Sequence, residues 1–527
     1  MTLLLRTAQI RAIEQREIAQ GASLMERAGC AAADTARAML QAAKLRPAHV
    51  LVLAGPGNNG GDALEAAVHL AAWGYKVTAC FAATPERLPA DAALAHAKWH
   101  ALKRDCHASL PTLDDVDLVI DGLFGIGLTR TIEAPYSEWI DAVNAARLPV
   151  LALDVPSGLN ADTGKAGAAC PRATRTLTFI ADKPGLHTLD GPDHAGLIEV
   201  ATLDLRGVPC GGSGHLIEQA DFASLLAPRQ RNSHKGSFGS LGIIGGASGM
   251  GGAPLLAGRA ALKMGAGKVL VGLLDESAPA VDLAQPELML RSASELDLAQ
   301  CSALVIGPGL GTSLAARTAL VAGIGSTVPL VLDADALNIV ADDPALAQAL
   351  TQRATATLLT PHPQEAARLL GCTTVQVQAD RIATACTLAQ RFQACVVLKG
   401  VGSVIAAPGA ASAPTRDAAE LTRWMINPTG NPGMASAGMG DALSGIAGAF
   451  LVQFAAKRIA ETVGARHSQR NAALQCLVGA VFLHGAAADF LVGQGVGPVG
   501  LTASDVIEAA RTVWNRWGGE AQAAAAR

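Results

Sequence analysis

Short apolar runs that end in glycine-rich turns recur along the whole chain and limit it to one architectural class. In the first half they are HVLVLAG (49–55), YKVTACF (75–81), DLVIDGLFG (117–125) and PVLALDVPSG (149–158), with alanine-rich stretches of helical length between them. Apolar strands separated by helices imply a parallel sheet covered on both faces. TRTLTFIA and GLIEVATL close this series near residue 203. DLRGVPCGGSGH (204–215) then reads as a linker or exposed loop.

A second series follows: SLGIIGG (240–246), KVLVGLL (268–274), ALVIGPGLG (303–311), PLVLDADAL (329–337), TLLTPHPQE (357–365) and CVVLKGVGSV (395–404). Long helices are expected near 441–456 and 471–488, and a frayed tail at EAQAAAAR. No repeat of fixed period is seen. The glycines fall just after the strands, at the carboxyl edge where open α/β sheets bind ligands, so each half is expected to carry its own site.

With 527 residues, 50% apolar and 16% charged, the chain can bury more than one core. A net charge of −4 gives no argument for nucleic acid or an anionic membrane surface. The N-terminus MTLLLRTAQIRAIEQ lacks the pattern of a signal peptide. AALQCLVGAVFLHGAAA (472–488), interrupted by Gln475 and His484, reads as a buried helix rather than a membrane span. Ten cysteines are scattered singly, without C-x-x-C and without alternation with histidines at ligand spacing. They read as reduced thiols in a cytoplasmic protein. The alanine-rich helices suit packing within the fold or a homo-oligomer interface equally.

GPGNNGGDALEAAVHL (55–70) follows a strand and enters a helix, where exposed amides favour an anion. It is neither a Walker A loop nor G-x-G-x-x-G. A plain turn with Asp62 as helix cap is the competing reading. Asp121 in DGLFGIGLTR, and Asp154 and Ser157 in LDVPSGLNADTG, stand at neighbouring strand ends, and ADKPGL adds Lys183. Asn59, Asp121 and Ser157 are hard oxygen donors suited to a cation, and Asp154 is available for proton transfer.

NNGGD (58–62), VIDGLFGIGL (119–128) and LDVPSGL (153–159) resemble the NAD(P)H-hydrate epimerases, which interconvert the R and S forms of hydrated NADH and NADPH. The resemblance implies a Rossmann-like domain over residues 1–210 and a potassium ion on Asn59, Asp121 and Ser157. It implies substrate contacts from Asn58, Asn59, Gly60, Gly61 and Asp62, from Gly125, Ile126, Gly127, Leu128, Thr129, Arg130 and Thr131, and from Tyr136 and Asp154. One departure is Ala63, where the family usually has glycine. It is harmless if the position is helical and disruptive if positive φ is needed.

In the second half, NPGMASAGMGDALSGIAGAF (431–450) carries one acid, Asp441, at a glycine-rich helix start. It could cap the helix, accompany an anion or act as a base. A carboxylate aimed into an anion site would repel phosphate, so a place beside it, taking a proton from a hydroxyl, is favoured. Lys399 could hold a phosphate as a point charge. His362, between two prolines, is read as facing the cleft against the alternative of a structural histidine. Asp333 and Asp335 have a capping alternative.

The GMGD stretch, with HKGSFG, GPGLG, LDADALN and TPHPQE in order, is similar to the ribokinase-like ATP/ADP-dependent NAD(P)H-hydrate dehydratases over residues 221–515. The resemblance implies phosphorylation of the hydrate hydroxyl, with Asp441 as base, followed by loss of phosphate. It implies a hydrate pocket with Ala253, Gly309, His362 and Asp441, and nucleotide contacts from Lys399, Gly400, Val401, Gly402, Ser403 and Gly440. It also implies Mg2+ and, for fused bacterial members, ADP as donor. Two rivals stand beside it. One is a small-molecule kinase with an N-terminal ligand module, which would leave a stable phosphorylated alcohol. The other is a first half that binds without catalysing.

Overall fold

The computed structural model describes residues 2–44, 48–128, 130–205, 214–409, 422–455 and 466–525. It divides into two compact units, Thr2–Gly214 and His215–Arg527.

In the first unit six strands form one sheet: β1 (His49–Ala54), β2 (Lys76–Cys80), β3 (Leu118–Gly122), β4 (Val150–Leu153), β5 (Arg175–Phe179) and β6 (Leu197–Ala201). Their order is β2-β1-β3-β4-β5-β6 and every pairing is parallel. The chain leaves β1 for β2 on one side and returns to β3 on the other, so the switch point lies between β1 and β3. β1 is buried on both faces, which explains its unbroken apolar run. The NNGGD segment forms the first turn of the helix Asn58–Ala72 directly after β1. Gly60 makes that close approach possible, since a Cβ there would lie 2.0 Å from the Gly55 carbonyl oxygen.

The second unit is built on β7 (Gly214–Leu216), β8 (Ser240–Gly245), β9 (Lys268–Leu273), β10 (Met289–Ser292), β11 (Ala303–Ile306), β12 (Leu330–Leu332), β13 (Thr357–Leu359), β14 (Cys395–Leu398), β15 (Val404–Pro408) and β16 (Thr422–Ile426). They run in the order β7-β16-β15-β14-β13-β12-β11-β8-β9-β10. The central strands are parallel, and β15 is antiparallel to both its neighbours. The helix Met439–Phe450 packs on Gly252–Lys263 through small residues. A Cβ on Gly445 would lie 2.1 Å from the Ala257 carbonyl oxygen, so the two backbones touch.

Several sequence expectations shift. The run 395–404 is a strand, a turn and the start of β15, because Gly400 and Gly402 take positive φ between them. Helix 441–456 begins two residues earlier, at Met439, ends at Phe450 and passes into a π turn, Leu451–Ala455. Helix 471–488 extends over Arg466–Gly493. Of the tail expected to fray, residues 520–525 continue the helix Ala503–Ala525, and Ala526 and Arg527 lie outside the described residues. Arg470–Gly493 is long and apolar enough to cross a membrane, but Leu477, Ala480, Leu483 and Ala487 are buried in the second unit's core.

Candidate active sites

In the first unit the strand ends and the helix start converge on a cleft of about 440 Å3. Asn58, Asn59, Asp62, Gly125, Ile126, Gly127, Leu128, Arg130 and Asp154 line it. Asp62 does not cap: Gly57 occupies the N-cap with no side-chain bond, and Asp62 is the fifth helical residue. Burial, then the carboxylates of Asp154 and Glu14, push its pKa well above the ordinary carboxylate value.

Asp154 follows β4 with φ +66°, a left-handed conformation that a non-glycine residue seldom holds. Its Oδ1 accepts a 2.5 Å bond from Lys183 Nζ, and Oδ2 accepts from the Ile126 amide at 3.2 Å. Lys183 is fully buried and also donates to Thr178 Oγ1 and the Phe179 carbonyl. The carboxylate is therefore fixed by a charged clamp while its residue borders the cleft.

Beside it, Asp121 accepts from Ser157 Oγ at 2.6 Å and from the Ser157 amide at 2.8 Å. Burial raises the Asp121 pKa above its ordinary value, and the Ser157 bonds oppose that. Asn59 is buried, and neither its side-chain Nδ2 nor its Oδ1 has a hydrogen-bond partner. A buried amide without a partner is costly unless something binds it. The donor set of Asn59, Asp121 and Ser157 consequently fits a hard monovalent cation.

Other expected residues stand elsewhere. Gly60 and Gly61 are buried behind the wall, against Gly55 and Met25. Thr131 is exposed, and Tyr136 packs edge-on against Phe124 and Trp139 without lining the cleft. Thr129 lies outside the described residues. Ala63 is helical and fully buried, and the space opposite it is left by Gly122. Sequence reading missed Arg11 and Glu14, which line the cleft from the helix Thr7–Ala19. No motif flags them, because an amphipathic surface helix offers charged residues everywhere.

In the second unit, Gly438 is the N-cap of the helix Met439–Phe450 with φ +85° and no side-chain cap. Asp441 is the third helical residue, so the capping role is absent. Burial, then nearby Asp333, push its carboxyl up to about 6, and Lys399 opposes them. Lys399 Nζ lies 2.9 Å from Asp333 Oδ1, and a Cβ on Gly440 would lie 3.3 Å from that ammonium. Asp333 occupies an N-cap position, yet its carboxylate accepts from Lys399 and from Ser444 Oγ at 2.6 Å instead. Asp335 accepts from the Gly311 amide at 2.8 Å. Glu365, 4.0 Å from Lys399, is pushed up to about 7, chiefly by burial.

His362 takes the structural role weighed against it: Nδ1 accepts from the Gln364 and Glu365 amides and caps the helix Pro363–Leu370. Its ring stays 46% exposed. Ala253 and Gly309 stand together, since a Cβ on Gly309 would meet the Ala253 Cβ at 3.3 Å. Lys399, Gly400, Val401, Gly402 and Ser403 form the turn between β14 and β15, closed by Ser403 Oγ donating to the Gly400 carbonyl at 2.9 Å.

A parallel sheet with a clamped carboxylate at its carboxyl edge is joined to a second sheet where an acid and a lysine meet at a helix start. Together they define an α/β enzyme with one site in each domain. The family model described as NAD(P)H-hydrate dehydratase matches residues 241–510, and that of the YjeF-related protein N-terminus matches 21–185. The bifunctional NAD(P)H-hydrate repair enzyme of Coxiella burnetii is 37% identical, covering 98% of this chain and all of the relative. That of Escherichia coli K12 is also 37% identical, over 93% of this chain and 89% of the relative. Among solved structures, the Bacillus subtilis ADP/ATP-dependent NAD(P)H-hydrate dehydratase co-crystallised with ATP and Mg2+ is 27% identical. It covers 58% of this chain and 99% of its own, with a TM-score of 0.45. The chain belongs to the family of bifunctional NAD(P)H-hydrate repair enzymes.

Proposed function

We propose that the first unit epimerises the hydrates of NADH and NADPH, and that the second dehydrates the S form using ADP, yielding NAD(P)H, AMP and phosphate. The observation that carries the second half is the Asp441–Lys399–Asp333 cluster at the uncapped helix start. Asp441 accepts the proton of the ring hydroxyl as its oxygen attacks the terminal phosphorus of ADP, and AMP leaves. An acid pushed up to about 6 is ionised at neutral pH yet remains basic enough to take that proton. The free amides of Met439 and Gly440, with Lys399, stabilise charge on the transferring phosphoryl group. The C6–O bond then breaks with phosphate as the leaving group. The ring nitrogen supplies electrons, a proton leaves the adjacent carbon, and the dihydropyridine is restored. Ala253, Gly309 and exposed His362 border the hydrate, and the Lys399–Ser403 turn borders the nucleotide. Mg2+ bound to the nucleotide supplies charge neutralisation on its phosphates.

In the first unit Asp154 moves the proton, held in position by Lys183 and the Ile126 amide. Asn59, Asp121 and Ser157 hold a potassium ion, which supplies fixed positive charge beside the cleft. Asn59's unpartnered amide supports that reading.

Purified protein given S-hydrate, ADP and Mg2+ is expected to restore the dihydronicotinamide absorbance and release one phosphate per turnover. A stable phosphorylated alcohol would instead establish a kinase.

A further inference from the structure

On sequence the cysteines do not alternate with histidines at ligand spacing, but the fold brings one cysteine to a pair of histidines. His96 and His100 are four residues apart on the helix Ala90–Ala101 and so share a face, with ring centroids 4.5 Å apart. His96 also packs on Phe81, with centroids 5.2 Å apart. After the helix the chain turns back at Lys103, at φ +57°. It then runs beside the edge strand β2: the His107 amide donates to the Ala79 carbonyl at 2.8 Å, and the Phe81 amide to the His107 carbonyl at 2.9 Å. This pairing fixes Cys106 opposite the helix. The donor atoms of His96, His100 and Cys106 all lie within 4.8 Å of one another.

We propose that His96, His100 and Cys106 form a binding site for a borderline transition-metal cation of the zinc type. Two imidazoles and a thiolate exclude the hard cations expected elsewhere in this chain, which take oxygen ligands. Tetrahedral zinc with bonds of about 2.0–2.3 Å needs ligand atoms about 3.3–3.8 Å apart, a closure that side-chain rotation supplies. Three protein ligands leave the fourth position for water or for exposed Asp105, whose Oδ1 lies 3.5 Å from His100 Nδ1. His96 and Cys106 are half-buried and His100 is exposed, so an ion reaches the site from solvent.

The two protonation states pull in opposite directions, His96 towards the ligating form and Cys106 away from it. Burial, and then His100, lower the basicity of His96, which favours the neutral ring that ligates. Burial, and then Asp105, push the Cys106 thiol up to about 11. Binding at neutral pH therefore expels one proton, from Cys106. The ion also has a position of consequence. Pro89, directly before the helix, lines the first unit's cleft, and Ala92 packs against Gly61 behind NNGGD. Metal binding fastens this helix to the sheet edge and stiffens that wall.

The test uses the full chain, untagged and stripped with a chelator, titrated with Zn2+ and in parallel with Co2+. One ion per chain is expected, with tetrahedral cobalt bands, a thiolate-to-cobalt charge-transfer band, and release of about one proton seen by calorimetry in two buffers. His96→Ala, His100→Ala and Cys106→Ser are each expected to weaken binding at least about 10-fold. Cys30→Ser, on the helix Leu24–Ala42, should leave it unchanged. A cobalt spectrum without the thiolate band, or zinc affinity unchanged in Cys106→Ser, would overturn the assignment. Thermal melting of each variant without metal verifies that it is folded.

Discussion

At the scale of single residues, both sites are built on carboxylates held where their charge is poorly solvated. Asp441 is pushed from an ordinary 3.8 up to about 6 by burial and Asp333. Ionising a group whose folded pKa is raised costs stability. That cost is absent below the unfolded value, grows between about pH 4 and 6, and is complete above. Asp441→Asn is therefore expected to abolish dehydration while melting higher than wild type at pH 8, with the gap closing towards pH 4. Dehydration by wild type should fall as pH drops through about 6. Lys183 presents the opposite case: removing a fully buried ammonium strands the Asp154 carboxylate. Lys183→Ala is expected to cost about 3–5 kcal/mol in urea unfolding of the first unit and to lose epimerisation. A stable variant with full epimerase activity would mean that Asp154 needs no clamp. The sequence showed Asp154, Asp121 and Ser157 because they stand at strand ends beside glycines, and Asp441 because it opens an apolar helix after glycines. It hid Arg11 and Glu14, whose place in the cleft is set by how the helix Thr7–Ala19 lies on the sheet.

At the scale of elements, glycine and alanine determine how closely helices pack. Gly445 brings the helix of Asp441 onto the Ala257 backbone, and any side chain there must separate the two helices. Gly445→Ala is expected to destabilise the second unit by about 1–3 kcal/mol. It should also reduce dehydration, by shifting Asp441 relative to Lys399, and leave epimerisation intact. Calorimetry and separate assays on the two hydrates measure this. The parallel strands were legible because burial on both faces writes them as continuous apolar runs. Some strands of the second sheet were not. Met289–Ser292 is half-exposed and mixed in character, and Thr422–Ile426 carries Arg423 and Trp424 within a five-residue run. The helix start near Met439 was misplaced by two residues because no side-chain cap marks it.

At the scale of the molecule, two units with separate cores carry separate chemistry in one chain. Spontaneous hydration yields both epimers and the second unit accepts one of them, so the first unit makes the remainder repairable. That division is open to a direct test. The most direct measurement is complete consumption of mixed R- and S-hydrate with ADP and Mg2+, comparing wild type, Asp154→Asn and Asp441→Asn. Wild type is expected to restore all of the dihydronicotinamide. Asp154→Asn should stop at the S fraction apart from slow spontaneous epimerisation, and Asp441→Asn should restore none. Full-rate consumption of R-hydrate by Asp154→Asn, or restoration by Asp441→Asn, would contradict the assignment of one reaction to each domain.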